Sequence, residues 1–268
     1  MAWPARIETR APRWGALVLL GLALALAGPA RAGCLAGAAD EVVRVRHVID
    51  GDTLVLAGGR HLRLIGIDTP ELGRDGRPDE PLAREARGRL EALVAGAQGR
   101  LRLRYDAERA DGYGRLLAHA LLPDGRTVEE VLLREGLAVS LVVPPNVAGL
   151  ACYRRAEAEA RSARRGLWAL ARYQRQDAAR ARLEEAGRFV WLEGEVAAVR
   201  RTRRSVWLEL RGGVAVRVAR EDWAWFEGID WQRLRGRRVG VRGIPYRGGG
   251  AWRIRLRHPV DLEIGGGS

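Results

Sequence analysis

The sequence predicts a mainly β protein with helices, an α+β chain divided into two small domains. Short strand-forming runs recur between glycine-rich turns in both halves of the chain. Helical periodicity separates such runs in the first half, and the second half offers five further short strands. A length of 268 residues gives room for two domains of this kind.

The first domain is expected over residues 33–170, and its first elements are a strand at residues 42–48 and a β-hairpin that turns at Gly58-Gly59. Further apolar patterns predict strands at 100–105 and 115–122 and helices at 81–95, 127–135 and 147–165. Thr127, with Glu130 three residues later, is typical of a capping box at the start of the middle helix.

The hairpin carries an acidic cluster at each end, in the runs V-I-D-G-D-T and R-L-I-G-I-D-T-P-E. Folding the hairpin brings the start of one strand beside the end of the other, so Asp52 and Asp68 become neighbours. Two adjacent carboxylates repel unless a positive charge lies between them. A hard divalent cation with oxygen ligands meets that requirement.

A third segment, D-G-Y-G-R-L-L-A, places Arg115 at the entrance of a strand. Together with Arg63 in the hairpin and Glu71 after it, the chain offers a metal site, a carboxylate and two arginines. This set suits phosphodiester hydrolysis, in which a carboxylate takes a proton from water and arginines hold the charge of the transition state.

Each motif also has an ordinary structural interpretation. Asp-Gly is a common hairpin turn, Arg63 alone is typical of a solvated strand position, and D-T-P-E can cap a helix. Their joint occurrence favours a catalytic site.

In this order, the motifs of residues 42–168 resemble those of the staphylococcal (micrococcal) nuclease family. The resemblance implies an OB-type five-stranded β-barrel with three helices. It also implies a Ca²⁺-dependent nuclease that cuts DNA and RNA with little sequence preference and leaves 3′-phosphate ends. Single strands or loosened duplexes would be the favoured substrates.

The resemblance also assigns roles to individual residues. The implied site consists of the catalytic Arg63, Glu71 and Arg115, the metal ligands Asp52, Asp68 and Thr69 (through its carbonyl), the pocket residue Tyr113 and the supporting Asp50. The loop after Glu71 departs from the family pattern, and the chain contains no lysine to line the pocket.

A second class of function stays open, namely a nucleic-acid-binding protein that kept the fold and lost catalysis. The net charge of +13 favours a polyanionic partner in either case. The expected residue types fill every position of the site, which favours the enzyme.

Residues 1–32 are typical of a signal peptide, with an arginine-bearing start, a short apolar stretch and an Ala30-Arg31-Ala32 cleavage site. We therefore expect a periplasmic or secreted protein without a stable membrane span, and a monomer. A membrane anchor is the alternative interpretation of this segment.

An oxidising compartment would allow a Cys34–Cys152 disulfide. Lipidation of Cys34, with a lipid-anchored protein, is the alternative. The four histidines show no ligand spacing, which argues against zinc.

The rest of the chain reads as a charged helical linker (171–186), an OB-like barrel (187–264) and a flexible tail (265–268). The barrel segment is rich in arginine and tryptophan, a composition typical of single-strand nucleic-acid platforms. Equally, Trp191, Trp207 and Trp252 could fill a small core. We expect this domain to raise substrate affinity without taking part in catalysis.

Overall fold

Alternating apolar residues build a closed barrel in the first half of the computed structural model. The structure describes residues 1, 33–35, 37–73, 75–181, 183 and 188–265. The predicted signal segment, apart from its first residue, and tail residues 266–268 lie outside this range. The elements are β1 Glu41–Val48, β2 Thr53–Leu56, β3 His61–Leu64, β4 Ile67–Asp68, α1 Ala83–Gly96, β5 Arg100–Arg104, β6 Leu116–Leu121, α2 Val128–Glu135, β7 Val139–Ser140 and α3 Leu150–Ser162.

The barrel follows the order β1-β2-β3-β6-β5 and closes between β5 and β1. Only the β3–β6 pair is parallel. Fully buried leucines from these strands fill the interior, among them Leu54, Leu62 and Leu101. The α+β fold and the OB-type barrel expected from the sequence are confirmed.

Helix α2 begins as the capping box predicts, because the Thr127 hydroxyl accepts a hydrogen bond of 3.1 Å from the Glu130 N–H. It ends at Gly136, whose φ of 71° favours glycine. Helix α3 begins at Leu150 rather than at residue 147, because Gly149 turns through the left-handed region with φ 73°.

Cys34 and Cys152 are joined by a disulfide with a Cα–Cα distance of 5.3 Å. The bridge ties the segment before β1 to helix α3. The Cys34 N–H also donates to the Glu130 carboxylate at 3.1 Å, so this segment is held to α2 as well.

The second half forms a curved sheet with the same strand order as the first barrel. β9, β10, β11 and β14 are consecutive neighbours, β11 and β14 are parallel, and β12 pairs with β9. No β12–β14 ladder closes this sheet among the described residues. Its strands are β8 Gln176–Asp177, β9 Val190–Arg201, β10 Ser205–Leu210, β11 Val214–Ala219, β12 Arg238–Gly243, β13 Pro245–Gly248, β14 Ala251–Leu256 and β15 Leu262–Ile264.

The helix expected over residues 171–186 is wrong for the described part of that segment. A single 3₁₀ turn at Ala171–Tyr173 is followed by β8, which pairs in parallel with β9. Tyr173 is buried against Trp168 and Phe189, and this aromatic packing holds the chain in the turn instead of a charged helix.

The two β-structures pack into one compact unit that extends from Gly33 onward. Arg242 of β12 donates two hydrogen bonds, of 2.6 and 2.7 Å, to the Glu157 carboxylate of α3. Both side chains are only 1% exposed. Burial opposes ionisation of Glu157, but the charge and hydrogen bonds of Arg242 hold the pKa of Glu157 below its ordinary value.

An aromatic cluster surrounds this ion pair. The Arg242 guanidinium lies 5.1 Å from the Phe189 ring centroid and 5.6 Å from that of Trp191. Trp191 is therefore a buried interface residue, as the core interpretation of the tryptophans expected. No helix within the described ranges is both long enough and apolar enough to span a bilayer.

We predict that Arg242→Met lowers the free energy of unfolding by about 3–5 kcal/mol, because it leaves the Glu157 charge buried without its partner. Urea unfolding followed by tryptophan fluorescence measures the loss. Arg238→Met is the matched control, since Arg238 pairs with Glu193 at 2.9 Å with 57% of its side chain exposed. It should cost about 1 kcal/mol or less.

Replacing both partners, as in Arg242→Met with Glu157→Leu, should recover most of the lost stability. Equal destabilisation by Arg242→Met and Arg238→Met would contradict a central role for the buried pair.

Candidate active site

Strand pairing brings the two acidic clusters of the hairpin together. Thr53 of β2 is the register partner of Arg63 in β3, and the Leu64 N–H donates to the Asp52 carbonyl at 2.8 Å. Gly51 permits the close approach, because a Cβ there would lie 2.7 Å from Thr69 Oγ1. The glycine of the D-G-D motif is therefore needed for packing against the second cluster.

Asp52 is fully buried and its carboxylate is hydrogen-bonded on both oxygens. Its Oδ2 accepts from the Thr69 N–H at 2.9 Å and from the Thr69 hydroxyl at 3.0 Å. Its Oδ1 accepts from the Thr53 hydroxyl and from Arg63 Nη1. Asp50, also buried, accepts from the Asp52 N–H at 3.2 Å and so supports this turn.

Arg63 bridges the two hairpin clusters. Its Nη2 donates to Asp68 Oδ1 at 2.7 Å while its Nη1 donates to Asp52. Burial raises the pKa of Asp52 to about 8, and the charges of Asp50 and Asp68 act in the same direction against that of Arg63. The cluster therefore favours additional positive charge at this point.

The donor set fits a hard divalent cation, because it consists of carboxylate and backbone oxygens. Asp52 and Asp68 are held near one guanidinium, where positive charge is already stabilised. Among the described residues, the only three His, Cys, Asp or Glu side chains whose ligand atoms lie within 4.8 Å of one another are Cys34, Glu130 and Cys152. Two of those are joined in the disulfide, so this group is not a candidate metal site.

A cleft of about 650 Å³ opens beside the hairpin. Arg63, Asp68, Glu71 and Arg115 all line it, so the structure brings the predicted catalytic residues together around one space. Tyr113 is 89% exposed next to this cleft, with its ring 5.8 Å from the Arg115 guanidinium.

The sequence model of the family described as 'Staphylococcal nuclease homologue' matches residues 61–170. This range includes β3, the acidic loop and all three helices of the first domain. Thermonuclease from Staphylococcus hyicus is 32% identical over 145 residues, which cover 53% of this chain and 83% of that protein. The thermonuclease of Staphylococcus intermedius is 35% identical over 131 residues, 48% of this chain and 76% of that protein. The chain belongs to the staphylococcal nuclease family.

Endonuclease YncB from Bacillus subtilis is 38% identical over 136 residues, 49% of this chain. The matched region spans 63% of YncB, less than two thirds of its length. About half of the present chain thus lies outside each of these matches, and the second sheet lies entirely beyond the residues 61–170 that the family model matches.

Asp111 is a site residue of this family member that the sequence interpretation did not single out. Its Oδ2 accepts from Arg115 Nε at 2.7 Å, and its Oδ1 accepts from the Tyr113 and Arg115 N–H groups, each at 2.9 Å. Partial burial opposes ionisation, but these hydrogen bonds lower the pKa of Asp111. The only sequence signal was its place at the start of the D-G-Y-G-R turn.

The loop that carries Glu71 is fastened to the second sheet. The Glu71 N–H donates to Glu80 Oε2 at 3.2 Å, and the Glu80 N–H donates back to the Glu71 carbonyl at 2.9 Å. Glu80 Oε1 in turn pairs with Arg188 Nε at 2.6 Å, just before β9. Neither Glu80 nor Arg188 belongs to a recognisable motif, so sequence reasoning missed both.

The second sheet also forms part of the cleft wall. Ile244, after β12, and Arg257, after β14, line the cleft together with Arg63 and Arg115. The second sheet therefore reaches the cleft, and the expectation that residues 187–264 raise substrate affinity without taking part in catalysis stays a prediction.

We predict that Asp111→Asn lowers kcat by roughly tenfold to a hundredfold, because Arg115 loses the charged partner that fixes its orientation. Asp124→Asn is a matched control. Asp124 holds Arg126 with the same pattern of backbone and side-chain hydrogen bonds at a turn outside the cleft. Steady-state cleavage of denatured DNA compares the two variants, and equal kcat values for both would refute a positioning role for Asp111.

Proposed function

We propose that the protein is a nuclease that hydrolyses phosphodiester bonds in DNA and RNA with little sequence preference. The convergence of Arg63, Glu71 and Arg115 on one cleft, beside an acidic cluster, carries this proposal. Membership of the staphylococcal nuclease family supports it. The names of the relatives, thermonuclease and endonuclease, agree with it.

The residues suit a single displacement at phosphorus. Arg63 and Arg115 bind the non-bridging oxygens of the scissile phosphate, where negative charge develops in the transition state. Glu71 accepts a proton from the attacking water, whose oxygen forms the new bond to phosphorus. The bond to the 5′-oxygen breaks and that oxygen takes up a proton, so the products carry a 3′-phosphate and a 5′-hydroxyl.

Asp52, Asp68 and the Thr69 carbonyl are the groups that would hold a divalent metal, and we propose that the metal is Ca²⁺. Such an ion, when bound, neutralises phosphate charge and lowers the pKa of water. Thr69 serves this site in a second way that the structure records, since its N–H and hydroxyl hold Asp52 Oδ2 in place.

We also propose that the protein acts after export, in the periplasm or outside the cell. The disulfide between Cys34 and Cys152 supports an oxidising compartment, and the signal-like sequence of residues 1–32 agrees with it. In this proposal Cys34 serves the disulfide rather than a lipid anchor. The protein is proposed to act as a monomer.

We predict that Ca²⁺ supports cleavage of denatured DNA and that chelation lowers the rate about a hundredfold or more. Mg²⁺ should support it poorly, because this ion demands near-ideal octahedral geometry and releases water reluctantly. Gel-based cleavage assays in Ca²⁺, Mg²⁺ or chelator decide the point. Undiminished cleavage in chelator would rule out a requirement for a divalent metal.

We predict that Glu71→Gln lowers kcat by roughly two to four decades, as loss of a general base does. Arg115→Lys should cost roughly two to three decades, because lysine lacks the planar fork that binds two phosphate oxygens. Arg126→Lys is the control, as it changes an arginine of similar pairing outside the cleft. Wild-type turnover in Glu71→Gln would contradict the assignment.

We expect Glu71→Gln and Arg115→Lys to lose cleavage while they still bind single strands. A wild-type protein that binds single strands but cleaves none with any divalent metal would instead favour the non-catalytic binding function.

A further inference from the structure

Three arginines occupy alternate, outward-facing positions along β14 and just beyond its end. Ile254 and Leu256 point into the core of the second sheet and are fully buried. Arg253 and Arg255 therefore lie on the outer face, and Arg257 continues the alternation just beyond the strand. Successive members of this row are two positions apart in sequence, which corresponds to roughly 6.6 Å along a strand. The row is thus a line of positive groups rather than a diffuse basic surface.

The row begins beside Trp207 on the outer face of β10. The Arg253 guanidinium lies 4.8 Å from the centroid of the Trp207 ring, and those of Arg200 and Arg217 lie 5.6 and 5.8 Å from it. Val206 and Leu208, which flank Trp207, are buried on the opposite face. Trp207 is therefore an outer-face residue with arginines around its ring, unlike the interface residue Trp191.

The row ends in the cleft of the nuclease barrel. Arg257 lines the same cavity as Arg63 and Arg115 and donates to the Pro144 carbonyl at 3.2 Å. Its Nη1 has no hydrogen-bond partner among the described residues. About 32% of the Arg257 side chain is exposed, so this guanidinium can reach a ligand in the cleft.

Asp222 fixes the spacing of Arg255 and Arg257, the two members of the row that lie nearest the cleft. Its Oδ2 accepts from Arg255 Nε at 3.0 Å and Nη2 at 2.7 Å, and its Oδ1 accepts from Arg257 Nε at 3.4 Å. The Asp222 side chain is only 3% exposed, and Glu221 makes a further contact of 2.9 Å to Arg255. These acids neutralise part of the charge, and they hold the two guanidinium groups side by side.

We propose that Arg253, Arg255 and Arg257 form a track for an extended single-stranded nucleic acid that leads from Trp207 into the cleft. A base stacks on the Trp207 side of the track, and successive phosphates contact the arginines. Arg257 binds a phosphate that flanks the scissile one. The inference rests on the proposed nuclease function and adds that the second sheet supplies part of the substrate subsites.

The track makes substrate length matter in a particular way. A trinucleotide bound at the scissile position can reach Arg257 but does not extend to Arg253. A strand of thirty nucleotides covers both. Arg257→Gln should therefore raise KM for both substrates about fivefold to tenfold, whereas Arg253→Gln should raise KM for the long strand alone. kcat should stay within about twofold of wild type in both variants, because neither residue contacts the scissile phosphate.

The experiment uses the full-length protein with oligothymidylates of three and thirty nucleotides in Ca²⁺. Arg233→Gln is the control, since Arg233 lies in the second sheet region with 87% of its side chain exposed and outside the row. Arg257→Lys keeps the charge and should recover part of the lost affinity. Urea unfolding of each variant verifies that the fold is intact.

Binding of the labelled thirty-nucleotide strand in chelator, followed by fluorescence anisotropy over a salt series, provides a readout that needs no cleavage. Each row variant should weaken binding and reduce the magnitude of the slope of log affinity against log salt by about 0.7, as loss of one phosphate contact does for single strands. Wild-type KM, affinity and salt slope in Arg253→Gln and Arg257→Gln would overturn the track. Absence of cleavage by the wild type would overturn the nuclease proposal, while the anisotropy data would still decide the track.

Discussion

The burial of the Asp52 carboxylate is the constraint on which the site depends. A buried carboxylate is costly unless donors satisfy it, and here Thr53, Thr69 and Arg63 do so. Thr69 follows β4 and Arg63 lies in β3, so the same hydrogen bonds fix both ends of the hairpin relative to each other. Asp68 directly precedes Thr69 and Glu71 follows it by two positions, so both residues lie at the edge of the cleft.

A second buried charge determines how the rest of the chain is arranged. The Glu157–Arg242 pair lies between α3 and β12, inside a cluster of aromatic rings. Satisfying these charges requires the second sheet to pack in one orientation against the nuclease barrel. That orientation also places Arg188 against Glu80 and Arg257 at the cleft, so the interface and the active site are structurally linked.

The two β-structures share a strand order but differ in what their surfaces offer. The first sheet closes into a barrel and concentrates acidic groups at the hairpin junction, where a cation can be held. The second remains open between β12 and β14 and presents arginines and Trp207 on its outer face. We propose that the first part performs chemistry at a phosphate and that the second holds a long polyanion.

Local patterns in the sequence were sufficient to predict several elements of the fold. Glycine turns, alternating leucines and the Thr127 capping box predicted the hairpin, the strands and helix α2, because these signals act over a few residues. Ordered motifs predicted Arg63, Glu71 and Arg115 as site residues through their resemblance to a nuclease family, and all three line one cleft. The pairing of Asp52 with Asp68 followed from hairpin geometry alone.

Contacts between groups that are distant in sequence could not be predicted and are seen only in the folded protein. The contacts of Glu80 with Arg188 and of Glu157 with Arg242 join residues far apart in sequence, and no local pattern records them. The segment after residue 170 was expected to be helical from its composition, yet burial of Tyr173 among aromatic rings overrides that local propensity. The position of Arg257 at the cleft likewise depends on domain packing, which is set by long-range burial of charge and apolar surface rather than by neighbours in the chain.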